Sequence, residues 1–372
     1  MQRQLALRAA LSRQLNKDVI KRLFPELGDA PLQFDWLIKR PFVQRRGSLW
    51  TYHPVVRDLM LRYLRQDSQE EWEALHLKLA DYYQQRAESL GISDKDAQLQ
   101  NKTWQMFTQE KCYHKLSANF KREIPESIRN FVATYRLNGF NNALPWIGII
   151  KQCGEIGDDP YWGNILQTGM DNLRSLKWKD AIEMVSKINH AKLLIDQVDQ
   201  SFLYWVEGLL NSFSSNDIEA IECFQKAVEI KSNNDSAWYN MGVAYGQLGN
   251  QEKAIECFQK AIEFKPEGDS AWNILGWVFL KLGKLEKAEN ALLYAWKCSN
   301  HKNEQSSMNL GHVYHLLKNQ KEAMAWYKTS LALWESKEAF FQGMKMDFSD
   351  LDMKKYGISQ QDFDAILAIL KR

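Results

Sequence analysis

His312 and His315 are the side chains best spaced to do chemistry in this sequence: three residues apart, they fall on one face of a helix. With His301 upstream they could begin a metal site, but that would need a third ligand at suitable geometry and hydrogen bonds that orient the ligating rings. Groove-lining histidines are the simpler reading. Carboxylates alternate with lysines at helical spacing, as in Glu252, Lys253 and Glu256, which is the pattern of solvated helix faces rather than of an acid–base pair. The five cysteines include no C-x2-C spacing, against structural zinc and against a disulfide framework, and Cys223 and Cys257 stand 34 residues apart, one structural position seen twice. No G-x4-G-K-[ST] phosphate loop occurs; Gly276 to Lys284 echoes one, with the wrong spacing. No serine or cysteine nucleophile motif stands out. These readings predict a protein without catalysis, cofactor or metal, in a reducing, cytoplasmic setting.

The elements that carry the two histidines are repeats. Trp238, Met241, Gly242, Tyr245, Ala254, Phe258, Ala261 and Pro266 are followed 34 residues later by Trp272, Leu275, Gly276, Phe279, Ala288, Leu292 and Ala295. One period earlier stand Tyr204, Gly208, Ala220, Phe224 and Ala227, and a fourth unit, offset by 35, holds Leu310, Gly311, Tyr314, Ala323 and Tyr327. Gly169 and Ala181 have the same mutual spacing in a degenerate unit before them. Each unit reads as two antiparallel helices. Gly242 and Ala254 are predicted to face each other so that the backbones come close, with Gly249-Asn250 and Gly283-Lys284 turning the chain. A single pair cannot bury its apolar stripe, so neighbours must stack. Period and residues resemble the tetratricopeptide (TPR) pattern W-x2-L-G-x2-Y, then A-x3-F, then Pro. The resemblance implies a mainly α fold, a TPR α-solenoid superhelix, and a surface for binding protein or peptide.

The expected groove follows from the first helices: Phe202, Trp205 and Leu209, then Tyr239 and Val243, then Asn273, Trp277 and Lys281, then Met308, His312 and His315. Of these, Trp205, Tyr239, Asn273, Trp277, Lys281, His312 and His315 are the candidate ligand contacts. Val243 stands where TPR members that clamp a C-terminal carboxylate carry Asn, so that mode is not expected. Trp205 and Trp277 serve equally well as packing between repeats.

Net charge is +2, yet the first 66 residues hold 13 basic and 5 acidic side chains. Residues 1–90 show no repeat. Two short helices, from about Leu15 to Phe24 and from Leu32 to Lys39, precede a hairpin, Pro41 to Arg46 and Leu49 to His53, around a Gly47-Ser48 turn. Pro54 opens a further helix, and Ser68 with Glu71 caps another that ends near Ala87. Helices followed by a two-stranded wing suggest a small winged-helix domain in front of the repeats. Its basic residues Lys39, Arg40, Arg45 and Arg46 are the candidates for a DNA or phosphate contact.

Trp50-x-Tyr52-His53-Pro54-x-x-Arg57-Asp58-Leu59, then Trp72-x-x-Leu75-His76-x-x-Leu79-Ala80-x-Tyr82-Tyr83, resembles the winged-helix end of STAND-type signalling ATPases, over roughly residues 10–88. In that family a nucleotide-binding domain and winged helix precede a repeat sensor. Many members carry a Met-His-Asp motif whose histidine contacts the nucleotide phosphate; His53 matches that histidine, with Tyr52 and Pro54 in place of Met and Asp. The resemblance implies a partner ATPase domain, in cis or in trans, that this sequence lacks.

The expected organisation is a winged-helix domain (1–90), a helical spacer (91–160), TPR repeats (161–335, as 161–200 degenerate, 201–234, 235–268, 269–303 and 304–335) and C-terminal capping helices (336–372). The last of these is opened by Ser359 with Asp362. The expected function is a non-enzymatic sensor arm: the groove binds protein or peptide and the winged helix relays occupancy to the nucleotide-binding domain. The alternative is a DNA-binding transcriptional regulator with a peptide-sensing TPR domain. Nucleic acid is the less favoured partner, and no apolar run is long enough for a membrane span.

Overall fold

The computed structural model describes residues 1–26, 29–157, 159–191, 193, 195–351 and 353–371. The chain divides into two compact units, 1–199 and 200–372.

The first unit begins with a helix that the charge pattern does not announce, α1 (Gln2–Ala9), which buries Leu5, Ala6 and Ala9. Helix α2 (Lys17–Leu23) starts where the Asn16 side chain accepts the Val19 N–H at 2.8 Å, and α3 (Ala30–Ile38) where Asp29 accepts that of Leu32. Strands β1 (Val43–Arg46) and β2 (Leu49–Tyr52) pair antiparallel from Val43↔Tyr52 to Arg46↔Leu49, with Gly47 at φ +62° in the turn. Leu15 donates its N–H to the Trp50 carbonyl at 2.8 Å, tying the segment before α2 to the hairpin.

Helices α4 (Pro54–Asp67) and α5 (Gln69–Glu88) follow; the Ser68 hydroxyl caps α5, while Glu71 reaches Arg8 at 2.6 Å instead of closing a capping box. Then come α6 (Lys95–Gln100), α7 (Lys102–Ala118) and α8 (Phe120–Ile156), which is broken at Gly139, where φ is +75°. Helices α9 (Tyr161–Arg174) and α10 (Trp178–His190) form a hairpin. The interior joins α5 to α7 through polar contacts as well as apolar ones. The Trp72 indole donates to the Ser117 carbonyl at 2.7 Å, and His76 and His114, both fully buried, meet through their Nδ1 atoms at 2.9 Å.

Helix α11 (Gln197–Phe213) leads into the second unit, where α12 (Asp217–Ile230), α13 (Asp235–Gln247), α14 (Gln251–Phe264), α15 (Asp269–Lys281), α16 (Leu285–Cys298), α17 (Glu304–Leu316) and α18 (Gln320–Leu333) follow. From α12 on, each helix packs on the next, as stacked repeats require. Helix α19 (Lys337–Asp350), one 3₁₀ turn (Met353–Tyr356) and α20 (Gln360–Lys371) complete the unit. The Ser359–Asp362 capping box forms: Asp362 accepts the Ser359 N–H at 2.8 Å and Ser359 Oγ accepts that of Asp362 at 3.3 Å. No helix among the described residues is long and apolar enough to cross a membrane.

One turn recurs between the two helices of every pair. Leu176, Ser215, Gly249, Gly283 and Lys318 all have positive φ. The N–H of the next residue then bonds the carbonyl five positions back, each time at 2.9 Å: Lys177 to Asn172, Asn216 to Asn211, Asn250 to Tyr245, Lys284 to Phe279, Asn319 to Tyr314. This is the left-handed helix stop that satisfies an otherwise orphaned carbonyl. The α9/α10 pair has it too. The close approach differs in detail from the expectation. What lies over Gly242 is the Phe258 ring rather than Ala254, which is fully buried nearby; a Cβ on Gly242 would come within 2.8 Å of that ring. Gly208, Gly276 and Gly311 meet Phe224, Leu292 and Tyr327 in the same way.

Gly242→Ala is therefore expected to destabilise by about 1–3 kcal/mol, because the ring has to move within a packed core. Gly246→Ala, in the same helix with nothing within 4 Å of an added Cβ, should be neutral or stabilising by up to about 1 kcal/mol. Urea unfolding of the two variants checks the contrast, and equal effects would rule out the close approach as the cause.

Candidate functional site

The first helices of the pairs in the second unit place equivalent residues four and then three positions apart, on one face. Trp205, Tyr239, Asn273 and Met308 open each set; Leu209, Val243, Trp277 and His312 come next; Leu280 and His315 extend the last two. Burial along this face changes from one end to the other. Trp205, Leu209, Tyr239, Val243 and Trp277 are half-buried and Lys281 is exposed, whereas Leu280, Met308, His312 and His315 are buried.

The difference has a visible cause. Phe340, Met344 and Phe348 of α19, with Phe363, Ile366, Leu367 and Leu370 of α20, share one apolar cluster with Leu280, Met308 and Val313. A Cβ on Gly343 would stand 3.3 Å from the Met308 methyl, and one on Gly283 would collide with the Tyr356 hydroxyl. The carboxy-terminal segment thus covers the expected groove of the last two repeats, instead of only shielding the end of the stack. Its sequence signal was present: apolar residues at 340, 344 and 348, and at 363, 366, 367 and 370, repeat with helical period. That period marks a face to be buried without saying against what.

Consequently His312 and His315 face protein. His312 Nδ1 lies 2.9 Å from the Tyr327 hydroxyl and Nε2 lies 3.3 Å from Asp347 Oδ2. Nδ1 can accept from the Tyr327 hydroxyl while Nε2 donates to Asp347. Burial pushes the Tyr327 phenol far above its ordinary range. His315 is different: among the described residues neither ring nitrogen has a partner. Burial, with neighbouring His312 adding to it, lowers its pKa, and Asp362 opposes the shift. Asn273, also buried, accepts from Asn309 Nδ2 at 3.2 Å and donates to Gln305 at 3.5 Å.

The first-unit candidates do not converge on one site. His53 is exposed at the N-cap of α4, its side chain making no capping bond while its N–H donates to the Phe42 carbonyl at 2.8 Å. Arg40 lies over the Trp36 ring, 4.6 Å from its centroid, and donates to the Trp36 carbonyl. Lys39 and Arg46 are exposed; exposed Arg45 donates to the Gly47 carbonyl at 3.0 Å. Arg45 and Arg46 are consecutive on β1 and so project to opposite faces of the hairpin.

The lowered pKa of His315 gives a pH dependence. The fold favours the neutral ring, and the unfolded chain takes up a proton below about pH 6.5. Stability is therefore lost as pH falls through that value towards the lower folded pKa. His315→Leu should stabilise by about 1 kcal/mol at pH 7, since it removes two unpaired polar atoms, and should flatten the fall in stability between pH 7 and 5. Thermal unfolding across that range checks both; a less stable variant with an unchanged slope would contradict the assignment.

Comparisons with known proteins agree with the repeat geometry. Residues 236–267, 257–290 and 304–333 match family profiles described as tetratricopeptide repeat, and 216–249 one described as TPR repeat. No curated protein matches the chain. Solved structures similar to it include MamA, at 22% identity over 46% of this chain and 96% of that one, TM-score 0.41. A MamA from Desulfovibrio magneticus RS-1 aligns at 16% identity over 46% and 94%, TM-score 0.41. YrrB, described as a TPR protein with an unusual peptide-binding site, aligns at 15% identity over 58% and 97%, TM-score 0.39. With the recurring turn and the glycine contacts, the four family-profile matches lead to one conclusion: the chain carries tetratricopeptide repeats, over residues 216–290 and 304–333.

Proposed function

We propose that this protein is a non-enzymatic interaction arm whose first-helix face binds a protein segment or peptide. The observation that carries the reading is that the face already holds polypeptide. Over α15 and α17 it accommodates α19 and α20 through an apolar cluster, with the His312–Asp347 contact at its edge. The same face on α11 and α13 presents Trp205, Leu209, Tyr239 and Val243, half-buried, with Trp277 and exposed Lys281 on α15. Large rigid aromatics supply contact area at low entropic cost, which suits a ligand that lays apolar side chains between repeats.

Within that reading, residues 1–90 act as a winged helix that relays occupancy to a STAND-type nucleotide-binding domain, in cis or in trans. The order of α1 to α3, hairpin, α4 and α5 supports it, as does the Leu15–Trp50 pairing, and exposed His53 is free to meet a phosphate on such a partner. Nothing in the hairpin favours DNA over this: Arg40 is stacked on Trp36, and Arg45 and Arg46 point to opposite faces.

Selection of a random peptide library on the immobilised full chain tests the interaction role. Enriched peptides should bind in solution and lose tenfold or more in affinity with Tyr239→Ala or Trp277→Ala, the loss of about 1.4 kcal/mol or more that marks an anchoring aromatic. Tyr294→Ala, on the second helix of its pair, should change nothing. Peptides that depend on Tyr294 and ignore Tyr239 and Trp277 would place the binding surface elsewhere.

A further inference from the structure

A cleft of about 800 Å³ in the first unit lies along α4, between it, the turn after α1 and the carboxy-terminal end of α8. Four arginines line it: Arg13, Arg57, Arg62 and Arg65. Their charges are not equally compensated. Arg13 is fully paired with buried Glu110, through Nε at 3.1 Å and Nη2 at 2.9 Å. Arg62 pairs with Asp58 at 3.0 Å on the open surface, where such a bond is weak.

Arg57 and Arg65 have no carboxylate partner among the described residues. Arg57 spends its Nη2 on two neutral oxygens, the Leu11 carbonyl at 3.0 Å and the Tyr113 hydroxyl at 2.7 Å. Its Nε is shielded from solvent and has no acceptor. A guanidinium held half-buried against neutral groups leaves a charge that an anion would compensate. Arg57 and Arg65 are two turns apart on one side of α4, a rise of about 12 Å, and side chains of arginine length can converge across that span. Gln69 and Gln152 add amide donors to the same walls.

We infer that this cleft binds a small molecule carrying two or more phosphates, drawn to the unpaired guanidinium groups of Arg57 and Arg65. Arginine forks match phosphoryl oxygens better than any other side chain does; Asp58, which pairs with Arg62, and Glu155 also line the cleft, so the guanidinium groups must hold the anion against their repulsion. Lys39, Arg40, Arg45 and Arg46 do not line the cleft.

Isothermal titration of the full chain with tripolyphosphate, with citrate as the carboxylate comparison, tests the inference. The expected result is one tripolyphosphate per chain, tenfold or more weaker in Arg65→Gln, and unchanged in a double Arg45→Ala, Arg46→Ala variant. Arg57→Gln should weaken it further; because Arg57 also ties α4 to Leu11 and Tyr113, the half-exposed Arg65 carries the test should the Arg57 variant fail to fold. No heat at about 1 mM ligand, binding that survives Arg65→Gln, or binding lost with the hairpin arginines would overturn it. Equal affinity for citrate would overturn the choice of phosphate.

Discussion

The close seating of a ring or branched side chain over a bare glycine is the contact on which the second unit depends. Gly208, Gly242, Gly276 and Gly311 each leave the room that Phe224, Phe258, Leu292 and Tyr327 fill, sixteen residues later and on the antiparallel helix. The spacing of the pair fixes the rest. It sets where the chain must reverse, seven residues after each glycine, and that reversal places a residue in the left-handed region whatever its type. Gly249 and Gly283 accept this freely; Ser215 and Lys318 do so against their steric preference. The packing is strong enough to impose the turn on residues that do not favour it.

The first unit is organised differently. Its helices vary in length, its longest is broken at Gly139, and its interior mixes apolar packing with buried polar groups. Burial lowers the pKa of His76 to about 3 and pushes that of His114 well down, with Arg57 and Arg13 adding repulsion, so the two rings meet as neutral groups. Their Nε2 atoms have no partner among the described residues. Such a core specifies one arrangement at some cost in stability. It also brings Arg57 to the edge of the cleft along α4.

Much of this was legible in sequence. Both turn glycines, the hairpin around Gly47 and the Ser359 cap follow from short-range chemistry, and each formed where its residues place it. The left-handed turns at Leu176, Ser215 and Lys318 were not legible, because no local preference marks them. Nor was α1, whose burial depends on partners far along the chain. The candidate face was legible as a set of positions, but not in its accessibility: His312 and His315 fall at ligand-facing spacing and are nonetheless enclosed.

The repeat and its period rest on contacts that recur at fixed separation, so spacing alone reveals them. Which part of the repeat face is covered, that Asp347 comes within reach of His312, and that Arg57 is left without a counter-charge emerge only in the folded chain. Each of those depends on segments distant in the chain meeting once, with no periodicity to announce it. An apolar stripe shows that a helix will be buried; the folded chain alone shows against what.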